Sequence, residues 1–190
     1  MSYMTSSEAQ LSYKTRYKTA LFVELLGISP FSSLNLEFCP IKNEKSFFTI
    51  RAGSGYLPGS KKPNVDGKKD NGISIPVGIS YNIILNNLKK QFKYRISMRC
   101  NPRPPRISIE SFGEIGLGHT YSFTNVTGYK QYTFGIIGIR NQISFGKEYK
   151  KHVLFLKTQF NPFYHNNTLT VFTSSGSVSG FGGSIGFSIK

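Results

Sequence analysis

The stretch 71-NGISIPVGISYNII-84 alternates strictly between two kinds of residue. From Ile73 to Ile83, every odd-numbered position is Ile, Val or Tyr, whereas the even-numbered positions are Ser, Pro, Gly, Ser and Asn. Alternation over this length predicts a β-strand with two unlike faces. Ordinary strands avoid proline and glycine, so Pro76 and Gly78 indicate that the second face lies in a crowded but polar place. We expect Pro76 to cost one ladder hydrogen bond there, a loss that a β-bulge could absorb.

Composition favours an all-β chain of one domain. The 190 residues include 19 Gly, 16 Phe and 11 Tyr but no Trp, and they contain no helical pattern of useful length. No stretch approaches the roughly 18 consecutive apolar residues that a transmembrane helix needs. The length is sufficient for a single domain with a sizeable core.

The same alternation recurs in seven further stretches, which predicts eight strands in all. A tilted strand of about 9 to 11 residues crosses a bilayer, and most of these stretches approach that length. One face of every predicted strand is apolar and uncharged, and we predict that it faces lipid. Its members are Leu21, Val23, Leu34, Leu36, Ile50, Ile75, Val77, Ile79, Ile115, Leu117, Ile137, Ile139, Leu154, Leu156, Ile185 and Phe187.

The opposite face mixes Gly, Ser, Thr and Asn with three acids and three bases. In a chain of net charge +15, a balanced set on one face indicates paired, buried charges. The interior of an eight-stranded barrel is just wide enough for its own side chains. We therefore predict one antiparallel, up-and-down transmembrane barrel with a polar, side-chain-filled lumen. Its predicted charge network is Glu24, Glu37, Arg51, Glu114, Arg140 and Lys157.

A soluble β-protein could show the same alternation, because the pattern alone does not tell which face lies inside. In a soluble sandwich or lipocalin-like barrel the charged face would meet water and the apolar face would line a core or cavity. Aromatic residues near the predicted strand ends favour the membrane version, since interface girdles are aromatic. These residues are Tyr17, Phe31, Tyr56, Tyr81, Tyr121 and Tyr132.

Several stretches together resemble the small, eight-stranded outer-membrane β-barrel proteins of Bacteroidota-type bacteria. The most specific are 33-SLNLEF-38, 51-RAGSGYLPG-59 and 71-NGISIPVGISY-81, and the resemblance follows strand order from about residue 18 to residue 190. It implies a bacterial outer-membrane location, periplasmic turns and extracellular loops. It also implies a non-enzymatic structural or loop-mediated role rather than that of a porin.

Two segments stand outside the barrel pattern. We expect residues 1–16 to form an N-terminal tail, which contains no apolar core of a signal peptide, and residues 17–190 to form the barrel. A basic insertion at about 86–111 separates the fourth and fifth strands and includes 89-KKQFKYRISMRCNPRPPR-106. Such a run can bind nucleic acid, but one basic run is a weak motif. We predict outer-membrane lipid as the main partner, with a protein partner possible through the loops or the insertion, and no nucleic acid.

No catalytic, metal-binding or cofactor-binding motif emerges, so we predict a protein without enzymatic activity, metal or cofactor. The three histidines are far apart, and no serine lies in a nucleophile elbow. Cys39 and Cys100 form no metal-site spacing, and two unrelated thiols are favoured over a disulfide. Two alternative functions stay open: a soluble β-barrel that binds a lipid or other hydrophobic ligand, and a basic β-domain that binds nucleic acid.

Overall fold

A computed structural model describes most of the predicted barrel. The described residues are 18–29, 31–43, 45–58, 71–86, 107–125, 128–145, 152–165, 168–170 and 180–189. The predicted N-terminal tail, Tyr17, Cys100 and residues 87–106 of the basic insertion lie outside these ranges. Within them, no helix is long and apolar enough to cross a membrane.

The described chain consists of strands joined by turns and loops. The strands are β1 Thr19–Leu25, β2 Ser32–Lys42, β3 Ser46–Leu57, β4 Gly72–Ile84, β5 Ile107–Thr124, β6 Gly128–Phe145, β7 His152–Phe160, β8 Phe163–His165, β9 Thr168–Thr170 and β10 Phe181–Ile189.

Eight of these strands, β1 to β7 and β10, close into one antiparallel barrel. Consecutive strands pair from β1 to β7, then β7 pairs with β10 and β10 pairs with β1. Since the circle is complete, these strands leave no open sheet edge. The predicted all-β fold with eight antiparallel barrel strands is confirmed.

β8 and β9 form a small addition that the sequence pattern did not predict. After β7, the chain continues beside the first half of β6, where Thr133 pairs with Tyr164 and Phe134 with Phe163. β9 then folds back on β8 as a hairpin. Both short strands lie in the connection between β7 and β10, at the end of the barrel opposite to the chain termini.

The two ends of the barrel are distinct, and each name below is kept throughout. The terminus end holds the first residue of β1 and the last residue of β10, together with the β2–β3 turn. The opposite end holds the β1–β2 loop and the ends of the β3–β4, β5–β6 and β7–β10 connections.

β5 and β6 are longer than their sequence patterns suggested. Each has 18 residues, whereas β1 has 7 and β10 has 9. The predicted insertion ended at about residue 111, but β5 begins at Ile107 and pairs there with Phe145. The insertion therefore overlaps the first five residues of a barrel strand.

The stretch that opened the sequence is β4, and its small face points into the barrel. Ser74, Pro76, Gly78, Ser80 and Asn82 are all buried. The β3–β4 pairing lapses opposite Pro76, between the Ala52–Val77 and Gly55–Ser74 pairs, and resumes in the same register. The described bulge lies instead in β2, between Phe38 and Ile41. The missing N–H of Pro76 is thus accommodated without a shift of register.

Candidate functional site

All six charged residues of the predicted network are buried inside the barrel. Their exposed fractions are 3 % or lower, with Glu24, Glu37 and Arg140 at 0 %. They come from six different strands, and alternation turns each one inward. Strands far apart in sequence are thereby tied together across the interior.

The strongest pair joins β6 to β2. Arg140 Nη2 lies 2.7 Å from Glu37 Oε1, and Arg140 Nη1 lies 3.0 Å from Glu37 Oε2. This parallel, two-point geometry matches the planar guanidinium to the carboxylate. The guanidinium also lies over two aromatic rings, 4.1 Å from the centroid of Phe155 and 5.4 Å from that of Phe47. Arg140 is therefore surrounded by groups that favour its positive charge.

Lys157 connects two of the acids. Its Nζ lies 2.9 Å from Glu114 Oε1 and 3.7 Å from Glu37 Oε2. Ser80 donates a 2.6 Å hydrogen bond to the same Glu114 oxygen, and its own hydroxyl lies 2.8 Å from that of Thr49. The lysine and the serine together fix this carboxylate between β4, β5 and β7.

Glu24 and Arg51 form a looser pair that polar side chains support. Their closest atoms, Arg51 Nη1 and Glu24 Oε1, are 3.8 Å apart. Gln159 links them, because it donates to Glu24 Oε1 and accepts a 3.4 Å hydrogen bond from Arg51 Nη1. Asn35 adds a 3.4 Å hydrogen bond to the second oxygen of Glu24.

Inward-facing glycines provide the room for these long side chains. A Cβ atom at Gly78 would lie 3.0 Å from Arg51 Nε, and one at Gly186 would overlap the ring of Phe155 and the Cβ atom of Phe22. The two phenylalanine rings in turn lie next to charged groups, since the Lys157 Nζ lies 5.3 Å from the centroid of Phe22. The glycine-rich composition of the inward face is thus a packing requirement.

One buried acid was missed from the sequence. Glu110 is only 4 % exposed and lies on β5, four residues before Glu114. It fell within the predicted insertion, although the alternation of 107-ISIESF-112 would have placed it on the inward face. The described interior therefore holds four acids and three bases.

The interior is less uniformly polar than predicted, because an apolar cluster lies toward each end. Toward the terminus end, buried aromatic rings meet edge to face, with the Phe22–Phe155 centroids 5.9 Å apart and the Phe47–Phe112 centroids 5.0 Å apart. Toward the opposite end, Ile28, Phe134 and Ile136 form a second buried cluster. The six charges of the predicted network lie between these clusters along their strands, whereas Glu110 lies beyond Phe112, closer to the terminus end.

Tyr132 belongs to this second cluster rather than to an outer girdle. Its ring packs against the buried Ile28, Phe134 and Ile136 and is partly buried. The prediction that Tyr132 lies in an aromatic girdle is wrong, because an even-numbered position of β6 faces the interior. The other described tyrosines of that prediction, Tyr56, Tyr81 and Tyr121, point outward and are exposed.

The β1–β2 loop folds into the mouth of the barrel. Ile28 and Ser29 are 0 % exposed, although neither belongs to a strand. Glu24 Oε1 accepts a 3.1 Å hydrogen bond from the Ile28 backbone N–H, and the hydroxyl of Thr120 donates to the Ile28 carbonyl. The Ser29 hydroxyl lies 2.9 Å from that of Ser74. This short loop therefore occupies the opposite mouth with its own side chains.

The apolar face predicted to meet lipid forms the outer surface. Of its 16 residues, Val77 and Leu154 are half-buried against their neighbours and the others are exposed, from 41 % at Leu21 to 60 % at Ile115 and Leu117. Between the strand ends, this described outer surface carries no Asp, Glu, Lys or Arg. It is bounded by exposed aromatic side chains at both ends of the barrel. Those at the terminus end are Phe38, Tyr81, Phe145 and Phe187, and those at the opposite end are Phe31, Tyr56, Tyr121, Phe123, Tyr129 and Phe181.

The remaining candidate residues are separate from one another. His119 lies 2.9 Å from the Thr133 hydroxyl, whereas His152 stacks on Phe187 at the other end of the barrel. Cys39 is a buried free thiol. Within the described ranges, no three His, Cys, Asp or Glu side chains come together in a way that could hold a metal ion.

Comparisons with models of known protein families, with curated proteins and with solved structures gave no match to this chain.

Proposed function

We propose that this chain is a transmembrane β-barrel of a bacterial outer membrane. The observation that carries the proposal is the inversion of its two faces: isoleucine, leucine and valine lie outside, and paired charges lie inside. Monomeric soluble proteins rarely expose continuous apolar patches larger than a few hundred Å². Hydrocarbon is the solvent that such a surface fits.

The closed backbone supports the same proposal. A bilayer core offers no hydrogen-bond partner to an unpaired N–H or C=O group, so only helices and closed barrels span it. The eight barrel strands pair around the full circle. Aromatic side chains at both borders of the apolar surface match the girdles that membrane barrels place at the two interfaces.

The proposed role is structural or depends on interactions of the loops, and it is neither enzymatic nor that of a porin. Eight strands leave room only for side chains, and here those side chains include three large bases and several aromatic rings. The β1–β2 loop adds Ile28 and Ser29 to the opposite mouth. The four described acids are buried, and each of Glu24, Glu37 and Glu114 has a basic partner within 4 Å, which suits structural pairing.

The alternative is a soluble β-barrel that binds a lipid or another hydrophobic ligand. Such a protein would line its cavity with apolar side chains and turn its charges to water. The buried Arg140–Glu37 and Lys157–Glu114 pairs favour the membrane proposal over this alternative. The proposal extends to kinship with the small outer-membrane barrels of Bacteroidota-type bacteria, which the sequence resembles.

Refolding of the complete chain tests the proposal. We expect the denatured protein to fold in detergent or phosphatidylcholine vesicles and to migrate differently on a cold gel before and after boiling. We also expect the vesicle-inserted strands to resist protease. A chain that folds to a monomer in buffer without detergent, and that takes up a fluorescent fatty acid, would support the soluble alternative instead.

A further inference from the structure

The described charges are sorted between the inside and the outside of the barrel. All four described acids, Glu24, Glu37, Glu110 and Glu114, are buried. The described charges that reach the surface are lysines: Lys18, Lys45 and Lys130 are exposed and Lys42 is half-buried. The described surface therefore has one sign of charge.

The positive charge of the chain is divided unequally between the segments attached to the two ends of the barrel. The chain segments attached to the terminus end, residues 1–18, 39–45, 87–106, 146–151 and 190, carry sixteen bases and three acids. The segments attached to the opposite end, residues 26–31, 58–71, 125–130 and 161–180, carry five bases and two acids. The segments attached to the terminus end thus sum to +13 in sequence and those attached to the opposite end to +3, while the described interior sums to −1.

Three lysines, Lys18, Lys42 and Lys45, lie on the described rim of the terminus end, and Lys18 lies next to its aromatic border. The Lys18 Nζ lies 5.8 Å from the centroid of the exposed Phe38 ring, and the Lys18 carbonyl accepts a 2.9 Å hydrogen bond from the Cys39 N–H. Lys42 and Lys45 flank the tight β2–β3 turn, which a 2.8 Å hydrogen bond from Asn43 to Ser46 closes. The ammonium group of Lys18 thus lies over an aromatic ring at the edge of the apolar surface, and Lys42 and Lys45 lie at the same end of the barrel.

We propose that this rim, Lys18, Lys42 and Lys45, binds anionic phospholipid headgroups of the leaflet at the terminus end; the inference rests on the membrane barrel proposed above. An anionic lipid layer attracts nearby lysines electrostatically, and the attraction falls off within a Debye length. Long lysine side chains at a border can lay their methylene groups on apolar surface and extend their ammonium groups to phosphates. An aromatic ring followed by a lysine is the order that a lipid interface would require.

A nucleic acid is the less suitable polyanion for this rim. Single strands are held by bases that stack on aromatic rings within a basic groove. Here Phe38 lies on the outer wall, in line with the apolar side chains that the proposal assigns to lipid, and Lys18 already covers its face.

Selectivity for boundary lipids tests the inference. The complete chain is refolded into phosphatidylcholine vesicles that contain trace amounts of spin-labelled phosphatidylglycerol or spin-labelled phosphatidylcholine, and the immobilised fraction of each label is measured. We expect the anionic label to be preferred roughly fivefold, the ratio that corresponds to about 1 kcal/mol for one lysine near an anionic surface. The preference should fall toward unity at about 1 M salt, where the Debye length is about 3 Å.

Two variants locate the effect. Lys18→Gln/Lys42→Gln/Lys45→Gln should lower the preference, whereas Lys130→Gln, which removes an exposed lysine at the opposite end, should leave it unchanged. Equal immobilisation of both labels by the parent, or an equal loss in both variants, would overturn the inference while insertion itself still supports the membrane barrel. Failure to insert into any vesicle would overturn the membrane proposal first. A detergent-folded protein that binds single-stranded DNA through these lysines, without lipid selectivity, would assign the rim to nucleic acid.

Discussion

Arg140 binds Glu37 through two hydrogen bonds, of 2.7 and 3.0 Å, inside a barrel where both side chains are fully buried. The pair links β6 to β2 across the interior. Water cannot solvate either charge, so each charged group is stabilised mainly by the other.

We therefore expect Arg140→Met to lower the free energy of unfolding by about 3 to 5 kcal/mol, because it leaves a buried carboxylate without its main partner. The double variant Arg140→Met/Glu37→Leu removes both charges and should be destabilised by less than the sum of the two single variants. Urea titration of the detergent-folded protein, followed by circular dichroism, measures both. Strictly additive losses would contradict a coupled pair.

The position of an arginine on the outer wall should decide whether the barrel inserts. Ile137 lies near the middle of β6 and is 54 % exposed, whereas Ile73 lies near the end of β4 and is 57 % exposed. We expect Ile137→Arg to cost about 2 to 4 kcal/mol in a bilayer and Ile73→Arg about 0 to 1 kcal/mol. Folding yield in phosphatidylcholine vesicles compares the two. In a soluble barrel, two substitutions of such similar exposure would have equally small effects.

Two glycines of β10 test interior packing, with Gly186 on the buried inward face and Gly183 on the outer face as the control. A methyl group at Gly186 would meet the ring of Phe155 and the Cβ atom of Phe22, whereas one at Gly183 would have no neighbour closer than the Lys157 carbonyl at 3.8 Å. Gly186→Ala should therefore destabilise the barrel by about 1 to 3 kcal/mol through overpacking. Gly183→Ala should be close to neutral. Equal midpoints in urea for both variants would show that the interior is looser than the contacts indicate.

The loop in the opposite mouth should contribute to stability as a core element does. Ile28 is fully buried among Phe134, Ile136 and Tyr132. Ile28→Ala is expected to cost about 2 to 5 kcal/mol and Ile28→Val about 0.5 to 1.5 kcal/mol, in line with buried isoleucines elsewhere. Thermal unfolding in detergent gives both values. If both variants matched the parent, the loop would contribute no stability in solution.

At Leu26, the first residue of that loop, a substitution should stabilise the barrel. Its φ of 53° lies in the left-handed region, which costs a residue with a Cβ atom about 1 to 2 kcal/mol. Leu26→Gly should remove this strain and raise the midpoint of unfolding in detergent. Leu25→Gly, on the adjacent exposed strand residue, is the control and should lower it.

The alternation of apolar with small or polar residues predicted most features of the fold. A period of two places Ser80 and Arg140 on one face and Ile79 and Ile139 on the other, whatever lies beyond the sheet. The same rule gave the number of barrel strands. It applies equally to Glu110, but the predicted insertion at about 86–111 included this residue together with the basic run before it.

The remaining features depend on contacts that have no local signature. Ile28 and Ser29 lie in a loop, where no period applies, and their burial depends on Thr120 and Ser74 from other parts of the chain. Tyr132 is an exception, because alternation along β6 places it on the same inward face as Arg140 and opposite to Ile137. The β8–β9 hairpin arises where Pro162 meets β6, with its carbonyl accepting a 2.7 Å hydrogen bond from Gly135.

The unequal strand lengths make the rim at the opposite end oblique. β5 and β6 extend together for 18 residues, and β8 with its hairpin partner is added to the same side, whereas β1 ends after 7 residues and its loop turns inward. At this end the barrel wall therefore extends further along the axis at β5 and β6 than at β1. Within the described residues, a macromolecule that approaches this end along the barrel axis meets the wall formed by β5 and β6 before the side formed by β1.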